Sequence, residues 1–354
     1  ATPTLGVAAR KFGYGVMVTA SHNPPDYNGF KFWDDKGAFR RNQEERLEEL
    51  FRGKKFSDAG GGEVSSMDFT REHIDMISDK VEVESQVKVL VDCAGGAGSM
   101  ITPKLLRELG CEVTAVNTNT DGVFPHPLEP TAENLRETCR LVREGDYDIG
   151  LVHDGDADRT AAIDRNGKLI EWDRFLSVLA WRKHKVVTTV DASMIVQDVC
   201  DNVVVTPVGD VAVAQAISKH KADFGGEPSG TYIFPEIHMY PDGVATAAKT
   251  VEAVSKGLFY SILEEIPSLP VERVKIPCPE GKKKQVMVEV GKRVDEICVS
   301  IDGLRVEYDD GWILVRPSGT EPYVRVTVEA RDKKRLDELV DKGSNWVKES
   351  IKAV

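Results

Sequence analysis

The stretch Val87-Lys-Val-Leu-Val-Asp-Cys-Ala-Gly-Gly-Ala-Gly98 carries the signal that decides the fold. Its first half is a nearly continuous apolar run, which is typical of a strand buried on both faces of a parallel sheet. A glycine-rich turn follows, and a helical pattern then covers Thr102–Leu109. Strand, turn and helix in this order predict the start of an α/β unit.

The same turn invites a dinucleotide-binding interpretation, which fails on detail. The motif would need Gly or Ala at position 101, where Ile101 stands, and an acid at the end of the next strand, where Val116-Asn117 stands. We therefore interpret Asp92–Gly98 as a tight turn between strand and helix.

Outward from this unit, strand and helix signals continue to alternate. In the same unit the pattern predicts strands at Glu112–Val116 and Asp148–Val152 and a helix at about Ala132–Glu144. A second unit follows, with strands at Val186–Val190, Val203–Thr206 and Thr231–Phe234 and helices at Met194–Cys200, Val211–Lys219 and Val244–Leu258. Ahead of both lie a strand at Gly15–Ala20 and helices at Asn42–Phe51 and Thr70–Lys80.

The pattern changes after Pro267. Alternating segments predict strands at Val271–Ile276, Gln285–Glu289, Leu304–Tyr308, Trp312–Val315 and Val324–Glu329, followed by a helix at Lys333–Lys348. Several strands and then one long helix are typical of an α+β domain with an antiparallel sheet. We place domain boundaries near residues 80, 183 and 268.

Composition narrows the class of protein. The 354 residues carry 46 Lys+Arg and 58 Asp+Glu, a net charge of −12, which argues against a nucleic-acid groove as the main purpose. No apolar run approaches the roughly 20 residues of a membrane helix, and no export signal opens the chain. Six scattered cysteines favour a reduced compartment. We expect a soluble, cytoplasmic, multidomain protein.

Two candidate segments carry nucleophile and metal chemistry. Thr19-Ala-Ser-His-Asn-Pro24 places Ser21 beside His22 after a strand, in the pairing of a nucleophile with its base. Adjacent residues on an extended backbone face different ways, so His22 need not be the base of Ser21, and the same residues also suit a plain turn. His153-Asp-Gly-Asp-Ala-Asp-Arg159 offers Asp154, Asp156 and Asp158 at alternating positions, and oxygen-only ligands suit Mg²⁺. An EF-hand is excluded, and an acidic solvated turn is the alternative.

Two further segments suit a sugar phosphate. Gly225-Gly-Glu-Pro-Ser-Gly230 presents a carboxylate and a hydroxyl that can bind a diol, with an ordinary turn as the alternative. Arg316-Pro-Ser-Gly-Thr-Glu-Pro322, with Arg325 beyond it, supplies a guanidinium, hydroxyls and backbone N–H groups for a phosphate dianion.

Together, in this order, the four segments resemble those of the α-D-phosphohexomutase family, which includes phosphomannomutase, phosphoglucomutase and phosphoglucosamine mutase. The similarity in layout runs over essentially the whole chain. It implies three tandem mixed-sheet α/β domains plus a smaller C-terminal α+β domain with an antiparallel sheet, at residues 1–80, 81–183, 184–268 and 269–354. The family has more chain ahead of the Ser21 loop, so we expect the first domain to be incomplete here, with exposed sheet edges.

The resemblance also implies a mechanism and a set of roles. Ser21 would carry a phosphoryl group, and one phosphate oxygen would complete an Mg²⁺ site with Asp154, Asp156 and Asp158. The group would pass to a hexose phosphate through a hexose 1,6-bisphosphate, which interconverts 6- and 1-phosphates. The resemblance makes Lys31 a proton carrier whose pKa is lowered. Arg159 would neutralise the phosphoserine with assistance from His22, while Glu227 and Ser229 would contact sugar hydroxyls. The non-reacting phosphate would be bound by Arg316, Ser318, Gly319, Thr320 and Arg325.

Substrate choice stays open at this point. We favour a phosphomannomutase/phosphoglucomutase, with phosphoglucosamine mutase as the alternative. An Mg²⁺-dependent sugar phosphatase and a non-catalytic sugar-phosphate binder are more remote. The expected partners are small sugar phosphates, without nucleic acid or membrane, and the expected state is a monomer or small homo-oligomer.

Overall fold

A computed structural model describes residues 1–24, 26–57, 60–296, 298–319 and 321–354. Four sheets follow one another along the chain, and the last of them is antiparallel, as the sequence predicts. Among the described residues, no helix combines the length and apolar character that a membrane span requires.

The first unit is a small antiparallel sheet with three helices. Its elements are α1 (Thr2–Phe12), β1 (Tyr14–Val18), β2 (Phe30–Asp34), β3 (Gly37–Ala38), α2 (Arg41–Arg52) and α3 (Thr70–Ser78). The strand order is β1-β2-β3. One face of this sheet is open to solvent, because Tyr14, Val16, Val18 and Phe30 are 74%, 48%, 57% and 67% exposed. On α1, Ala9 packs in a buried cluster with Trp33 of β2 and with Tyr240 of the third unit.

The second and third units share one topology. The second contains β4 (Lys88–Asp92), a 3-10 turn (Ala97–Met100), α4 (Thr102–Glu108), β5 (Glu112–Val116), α5 (Arg136–Glu144), β6 (Ile149–His153) and β7 (Thr160–Ile163). The third contains α6 (Trp172–Ala180), β8 (Val186–Thr189), α7 (Ile195–Val199), β9 (Val203–Thr206), α8 (Asp210–His220), β10 (Phe224–Gly226), β11 (Tyr232–Ile233), α9 (Gly243–Ser255) and α10 (Leu258–Glu265). Their strand orders are β5-β4-β6-β7 and β11-β10-β8-β9.

In both sheets three strands run parallel and an edge strand closes an antiparallel hairpin, β6–β7 or β10–β11. A continuous apolar core joins the two units and includes Phe175, Phe224, Tyr232 and Phe259. Truncating one of these buried rings to alanine is expected to cost about 3–5 kcal/mol.

The fourth unit has its own core under a five-stranded antiparallel sheet. It contains β12 (Val271–Pro277), a 3-10 turn (Glu280–Lys282), α11 (Lys283–Arg293), β13 (Cys298–Val299), β14 (Leu304–Tyr308), β15 (Gly311–Pro317), β16 (Tyr323–Ala330) and α12 (Lys333–Lys352), in strand order β12-β16-β15-β14-β13. Arg305 attaches it to the third unit by donating to the carbonyls of Val190 and Ala192.

One predicted strand is wrong. Gln285–Glu289 lies inside α11, not in the sheet. Its Val-Met-Val core alternates over too few residues to exclude a helix. Val286 and Val290 are both fully buried and stand four residues apart, which places them on one face of α11.

Candidate active site

Ser21 lies in the loop that follows β1, in a strained backbone conformation. Its φ of 54° is in the left-handed region, which an L residue other than glycine seldom adopts. The Ser21 N–H donates to Thr19 Oγ1 at 2.8 Å, and Ser21 Oγ donates to Asp154 Oδ2 at 3.0 Å. The Oγ also lies 3.3 Å from His22 Nδ1. The loop thus directs the serine hydroxyl at the acidic segment predicted to hold a metal.

The acidic segment is the turn of the β6–β7 hairpin. Asp154, Asp156 and Asp158 are all buried, and one carboxylate oxygen from each lies within 4.8 Å of the others. Asp156 Oδ1 and Asp158 Oδ1 have no hydrogen-bond partner in the described part of the chain. Buried carboxylate oxygens without donors fit a hard divalent cation, which takes oxygen ligands.

The charges in this turn are mutually unfavourable. Burial, followed by the charges of Asp158 and Asp156, raises the pKa of Asp154 well above its usual range. Burial and then Asp156 likewise raise the pKa of Asp158. Three carboxylates this close cannot all ionise without a compensating cation.

Lys31, on β2, supplies one such cation. Its Nζ lies 2.8 Å from Asp156 Oδ2 and 2.6 Å from Asp158 Oδ2. Burial alone would lower the pKa of Lys31, but the two carboxylates outweigh burial and raise it. The shift in this arrangement is opposite to the lowered pKa that a proton carrier would require. The ammonium instead lowers the pKa of Asp156, against the effect of burial.

Glycine allows the first two loops to touch. A Cβ on Gly155 would lie 2.5 Å from the backbone oxygen of Ser21. Behind it, Ala97 N donates to Gly155 O at 2.9 Å, and a Cβ on Gly96 would lie 2.4 Å from that same oxygen. The glycine-rich turn after β4 therefore supports the acidic loop by close backbone packing.

Arg159 and His22 meet at a residue that sequence reasoning missed. Glu129 Oε2 lies 3.4 Å from His22 Nε2 and 3.9 Å from Arg159 Nη1. Arg159 Nε is buried without a hydrogen-bond partner among the described residues, and it lies 3.9 Å from Asp154 Oδ2. Burial and the nearby Arg159 charge lower the pKa of His22. Two prolines flank Glu129 in Pro127-Leu-Glu-Pro130, a weak signal of a constrained loop.

The third loop is the turn of the β10–β11 hairpin. Glu227 Oε1 accepts from Gly209 N at 2.8 Å, and its Oε2 accepts from Thr231 Oγ1 at 3.0 Å. Ser229 Oγ lies 3.2 Å from Thr231 Oγ1. Burial raises the pKa of Glu227 to about 7. Thr160 N donates to Gly230 O at 3.0 Å, which ties this turn to the hairpin that carries the aspartates.

These three loops open into one cavity of about 490 Å³. Seven of the residues predicted for the site line it: Ser21, His22, Lys31, Asp158, Arg159, Glu227 and Ser229. They come from β2 and the loop after β1, from the β6–β7 turn, and from the β10–β11 turn. The structure therefore brings together three of the four candidate segments.

The fourth segment lies beside a different cavity. Ser318 and Gly319 line it together with Lys283 of α11. Lys283 Nζ donates to Ser318 O at 2.5 Å and to Glu321 O at 3.2 Å, so it holds both sides of the loop. Thr320 lies outside the described residues. Sequence reasoning missed Lys283, because its misassigned strand hid the start of α11.

The two arginines of this segment are paired with acids. Arg316 Nη2 lies 2.6 Å from Asp302 Oδ2, which also accepts from Val208 N at 3.2 Å. Arg316 Nε is buried without a partner among the described residues. Arg325 Nη2 lies 3.5 Å from Glu321 Oε2. Since Val208 lines the first cavity, Asp302 links Arg316 of the fourth segment to the lining of that cavity.

Comparison with known proteins places this geometry in a family. Four domain models of phosphoglucomutase/phosphomannomutase match in order: alpha/beta/alpha domain I at residues 1–58, domain II at 71–167, domain III at 172–268 and the C-terminal domain at 274–343.

Individual relatives agree with these matches. A probable phosphoglucosamine mutase of Methanopyrus kandleri is 44% identical over all of this chain and 83% of that protein. The phosphoglucosamine mutase of Methanocaldococcus jannaschii is 40% identical over all of this chain and 85% of its own length. A crystal structure of a phosphoglucomutase/phosphomannomutase family protein from Burkholderia thailandensis is 26% identical and superposes with a TM-score of 0.85, covering 95% of this chain and 76% of that one. The chain therefore belongs to the phosphoglucomutase/phosphomannomutase family, the α-D-phosphohexomutases, which are isomerases.

Proposed function

We propose that this protein is a phosphoglucosamine mutase, which interconverts glucosamine 6-phosphate and glucosamine 1-phosphate through a phosphoserine at Ser21. The observation that carries the proposal is the placement of Ser21 Oγ 3.0 Å from Asp154, in a cavity that also contains Glu227 and Ser229. A nucleophile, a cation site and a diol-binding turn in one cavity are the parts that phosphoryl transfer to a sugar requires.

The names of the relatives support the amino sugar. Proteins 40–44% identical over the whole chain are called phosphoglucosamine mutases, which favours glucosamine phosphates over mannose or glucose phosphates as the substrate. The motifs themselves do not distinguish a 2-amino from a 2-hydroxyl group.

The proposed cycle is a pair of in-line transfers. In the first, the bond between phosphorus and Ser21 Oγ breaks while a bond to a sugar hydroxyl oxygen forms, and the proton of that hydroxyl passes through the proton carrier to Ser21 Oγ. The bisphosphorylated sugar then turns over and returns its other phosphoryl group to Ser21. The net result moves phosphate between O6 and O1 without a change in redox state.

The charged residues of the cavity have distinct parts in this cycle. Asp154, Asp156 and Asp158 would hold Mg²⁺, which withdraws charge from the phosphoryl group when it is bound. Arg159, whose Nε has no hydrogen-bond partner among the residues that the structure describes, would neutralise the phosphoserine oxygens. Lys31 stays the proposed proton carrier, and to act as one it would first have to leave Asp156 and Asp158.

The remaining loops would hold the sugar. Glu227 and Ser229 would bind neighbouring hydroxyls that present the same pattern in both orientations. Arg316, Ser318, Gly319, Thr320 and Arg325 would bind whichever phosphate is not reacting, and the Nε of Arg316, which has no partner in the part of the chain that the structure describes, suits a phosphate oxygen.

The deciding experiment is the intact mass of the protein before and after incubation with glucosamine 1,6-bisphosphate and Mg²⁺, with peptide mapping. We expect the mass of one phosphoryl group to appear on Ser21, and none in the Ser21→Ala variant. Isomerisation of glucosamine 6-phosphate should require catalytic amounts of the bisphosphate and should vanish in Ser21→Ala.

Other outcomes identify the rival functions. Release of inorganic phosphate without isomerisation would indicate an Mg²⁺-dependent phosphatase. Binding of sugar phosphate that is unchanged in Ser21→Ala, with no turnover, would indicate a non-catalytic binder. Turnover of mannose or glucose phosphates in preference to glucosamine phosphate would return the assignment to phosphomannomutase/phosphoglucomutase.

A further inference from the structure

Asp210 stands at the rim of the sugar-binding turn. It is the first residue of α8 and follows Gly209, whose N–H binds the Glu227 carboxylate at 2.8 Å. It is half-buried, and it lines the same cavity as Ser21, Glu227 and Ser229. Asp210 is therefore part of the surface that a bound sugar would meet.

This carboxylate has no cationic partner among the described residues. Lys31 and Arg159, the lysine and arginine lining the same cavity, lie beside the aspartates of the β6–β7 turn instead. On its other side Asp210 borders a second cavity whose lining includes Arg10, Lys36 and Arg40, and none of these three reaches ion-pair distance of it. A half-buried carboxylate without a counterion favours a cationic ligand.

Glu227 is less suited to that role. It is buried, and both of its oxygens already accept hydrogen bonds, from Gly209 N and Thr231 Oγ1. Burial, with a contribution from the Asp210 charge, also raises the pKa of Glu227 to about 7, so much of its population is protonated near neutral pH. The unpaired negative charge at this end of the cavity belongs to Asp210.

We propose that Asp210 is the specificity residue of this site, binding the 2-ammonium group of an aminohexose phosphate and selecting it over 2-hydroxyl and 2-acetamido sugars. The inference rests on the proposed function, because it concerns the sugar held by Glu227 and Ser229. C2 lies next to the hydroxyl-bearing C3, so a group bound beside that diol comes close to the rim of the turn. Since C2 changes sides when the sugar turns over, Asp210 contacts the ammonium in one of the two orientations.

The test is a calorimetric titration with Mg²⁺ present, using the wild-type protein, Asp210→Asn and a matched control, Asp35→Asn. Asp35 is an exposed aspartate that lines the cavity of Arg10, Lys36 and Arg40 but not the cavity of Ser21 and Glu227. The probes are glucosamine 6-phosphate, glucosamine 1-phosphate, glucose 6-phosphate and N-acetylglucosamine 6-phosphate. We expect Asp210→Asn to weaken binding of at least one glucosamine phosphate by about tenfold or more, because a charge-assisted hydrogen bond is lost.

The same variant should bind glucose 6-phosphate and N-acetylglucosamine 6-phosphate with affinities within about twofold of wild type. Asp35→Asn should bind all four sugars with wild-type affinity. Equal losses for all four sugars, or no loss for either glucosamine phosphate, would overturn the proposal. If Asp210→Asn does not fold, Asp210→Ser, which keeps a small polar side chain at the start of α8, takes its place.

Binding separates this inference from the proposed function. Selective loss of glucosamine phosphate binding in a protein that never phosphorylates Ser21 would support the role of Asp210 and reject the mutase. Phosphorylation of Ser21 with unchanged selectivity in Asp210→Asn would support the mutase and reject the role of Asp210.

Discussion

Ser21 and Ala157 share an unusual feature, since both are non-glycine residues in the left-handed backbone region, at φ values of 54° and 59°. Each conformation costs about 1–2 kcal/mol relative to an ordinary one. One residue is in the nucleophile loop and the other is in the acidic turn that it faces. Strain on both sides of the contact indicates that the surrounding packing imposes this geometry, as happens at functional sites.

Single residues can be predicted from the sequence when a short segment contains the whole pattern that indicates their role. They are missed when their partners lie far away in the sequence. Asp154, Asp156 and Asp158 are recognisable because alternating carboxylates demand a cation. Glu129 is not, because its meaning comes from His22, more than 100 residues away.

Gly155→Ala tests the contact between the two loops. The added Cβ would lie 2.5 Å from the Ser21 backbone oxygen and 3.0 Å from Leu128, so one loop must move. We expect phosphorylation of Ser21 to slow by about a hundredfold or more, since a displacement of about 1 Å can cost that much. Rapid-quench phosphorylation with glucosamine 1,6-bisphosphate measures the rate. Gly62→Ala, where a Cβ would meet no atom of the described residues within 4 Å, is the control, and equal rates in both variants would contradict the prediction.

Asp156→Asn tests the acidic turn as a cation site. The amide keeps the shape and one oxygen of the carboxylate but removes one negative charge, so Mg²⁺ affinity should fall by about tenfold or more while the fold persists. Titration calorimetry with Mg²⁺ alone measures the affinity, and circular dichroism checks the fold. Asp341→Asn, an exposed change on α12, should bind Mg²⁺ like wild type. Unchanged affinity in Asp156→Asn would place the cation elsewhere.

At the scale of elements, the acidic turn and the sugar turn occupy equivalent places. Each one joins the last parallel strand to the antiparallel edge strand, β6 to β7 or β10 to β11, in sheets of the same order. The alternating strand and helix pattern predicts two related units. It does not predict the helices α1, α6 and α10 or the strand β2, because each spans at most 11 residues and packs against neighbouring elements that the local pattern does not identify.

The start of α11 acts on the phosphate loop through Lys283. The buried Nζ binds carbonyls on both sides of the loop apex, so Lys283→Met would remove both bonds and keep a side chain of similar length. We expect KM for glucosamine 6-phosphate to rise by about tenfold or more, because a loosened loop must be ordered on binding. Steady-state kinetics give KM, and the melting temperature reports the fold. Lys292→Met, an exposed change on the same helix, should leave both unchanged. A normal KM in Lys283→Met would show that the loop keeps its shape without this clamp.

At the scale of the whole molecule, a buried cluster holds three parts of the chain together. Asp242, at the start of α9, lies 2.8 Å from His73 Nε2 on α3 and 2.7 Å from His238 Nε2. His73 Nδ1 also lies 3.0 Å from Thr4 Oγ1 on α1. Burial would raise the pKa of Asp242, but the two histidines outweigh it and lower that pKa. Burial outweighs the Asp242 carboxylate and lowers the pKa of His238, which disfavours the charged form of this ring in the folded protein.

His238 therefore contributes to acid sensitivity. Its pKa is lower in the folded than in the unfolded chain, so the unfolded state binds more protons below about pH 6.5 and stability falls there. In His238→Gln, whose amide can still donate to Asp242, that loss is absent. We call the difference in free energy of unfolding between wild type and His238→Gln the stability gap. It should narrow as the pH falls from 7.5 to 5.5, by up to about 1.4 kcal/mol per pH unit below pH 6.5.

Urea denaturation at each pH gives the gap directly. The comparison reports on His238 together with Asp242, whose pKa depends on that histidine, because more distant carboxyl groups with raised pKa values such as Glu227 and Asp173 titrate alike in both proteins. His184→Gln, at an exposed histidine, provides the baseline. A gap that stays constant over the whole range would rule out titration of His238.

The order of the units follows from the sequence, and so does the change of architecture after Pro267. The boundaries near residues 80, 183 and 268 stay predictions. Which loops share a cavity does not follow, because Lys31 meets Asp156 across 125 positions of sequence. Local periodicity contains no information on such contacts, and the separate cavity beside Ser318 and Gly319 is equally outside its reach.

The open face of the first sheet affects the tendency of this 354-residue chain to associate in concentrated solution. This face is an exposed hydrophobic patch formed by Tyr14, Val16, Val18 and Phe30. The net charge of −12 of the chain makes separate molecules repel each other. The protein stays dispersed only while this electrostatic repulsion exceeds the hydrophobic attraction between the patches of two molecules. Concentrated salt shortens the range of the repulsion, and acidification removes the negative charge itself, so either treatment should favour association of molecules through this face.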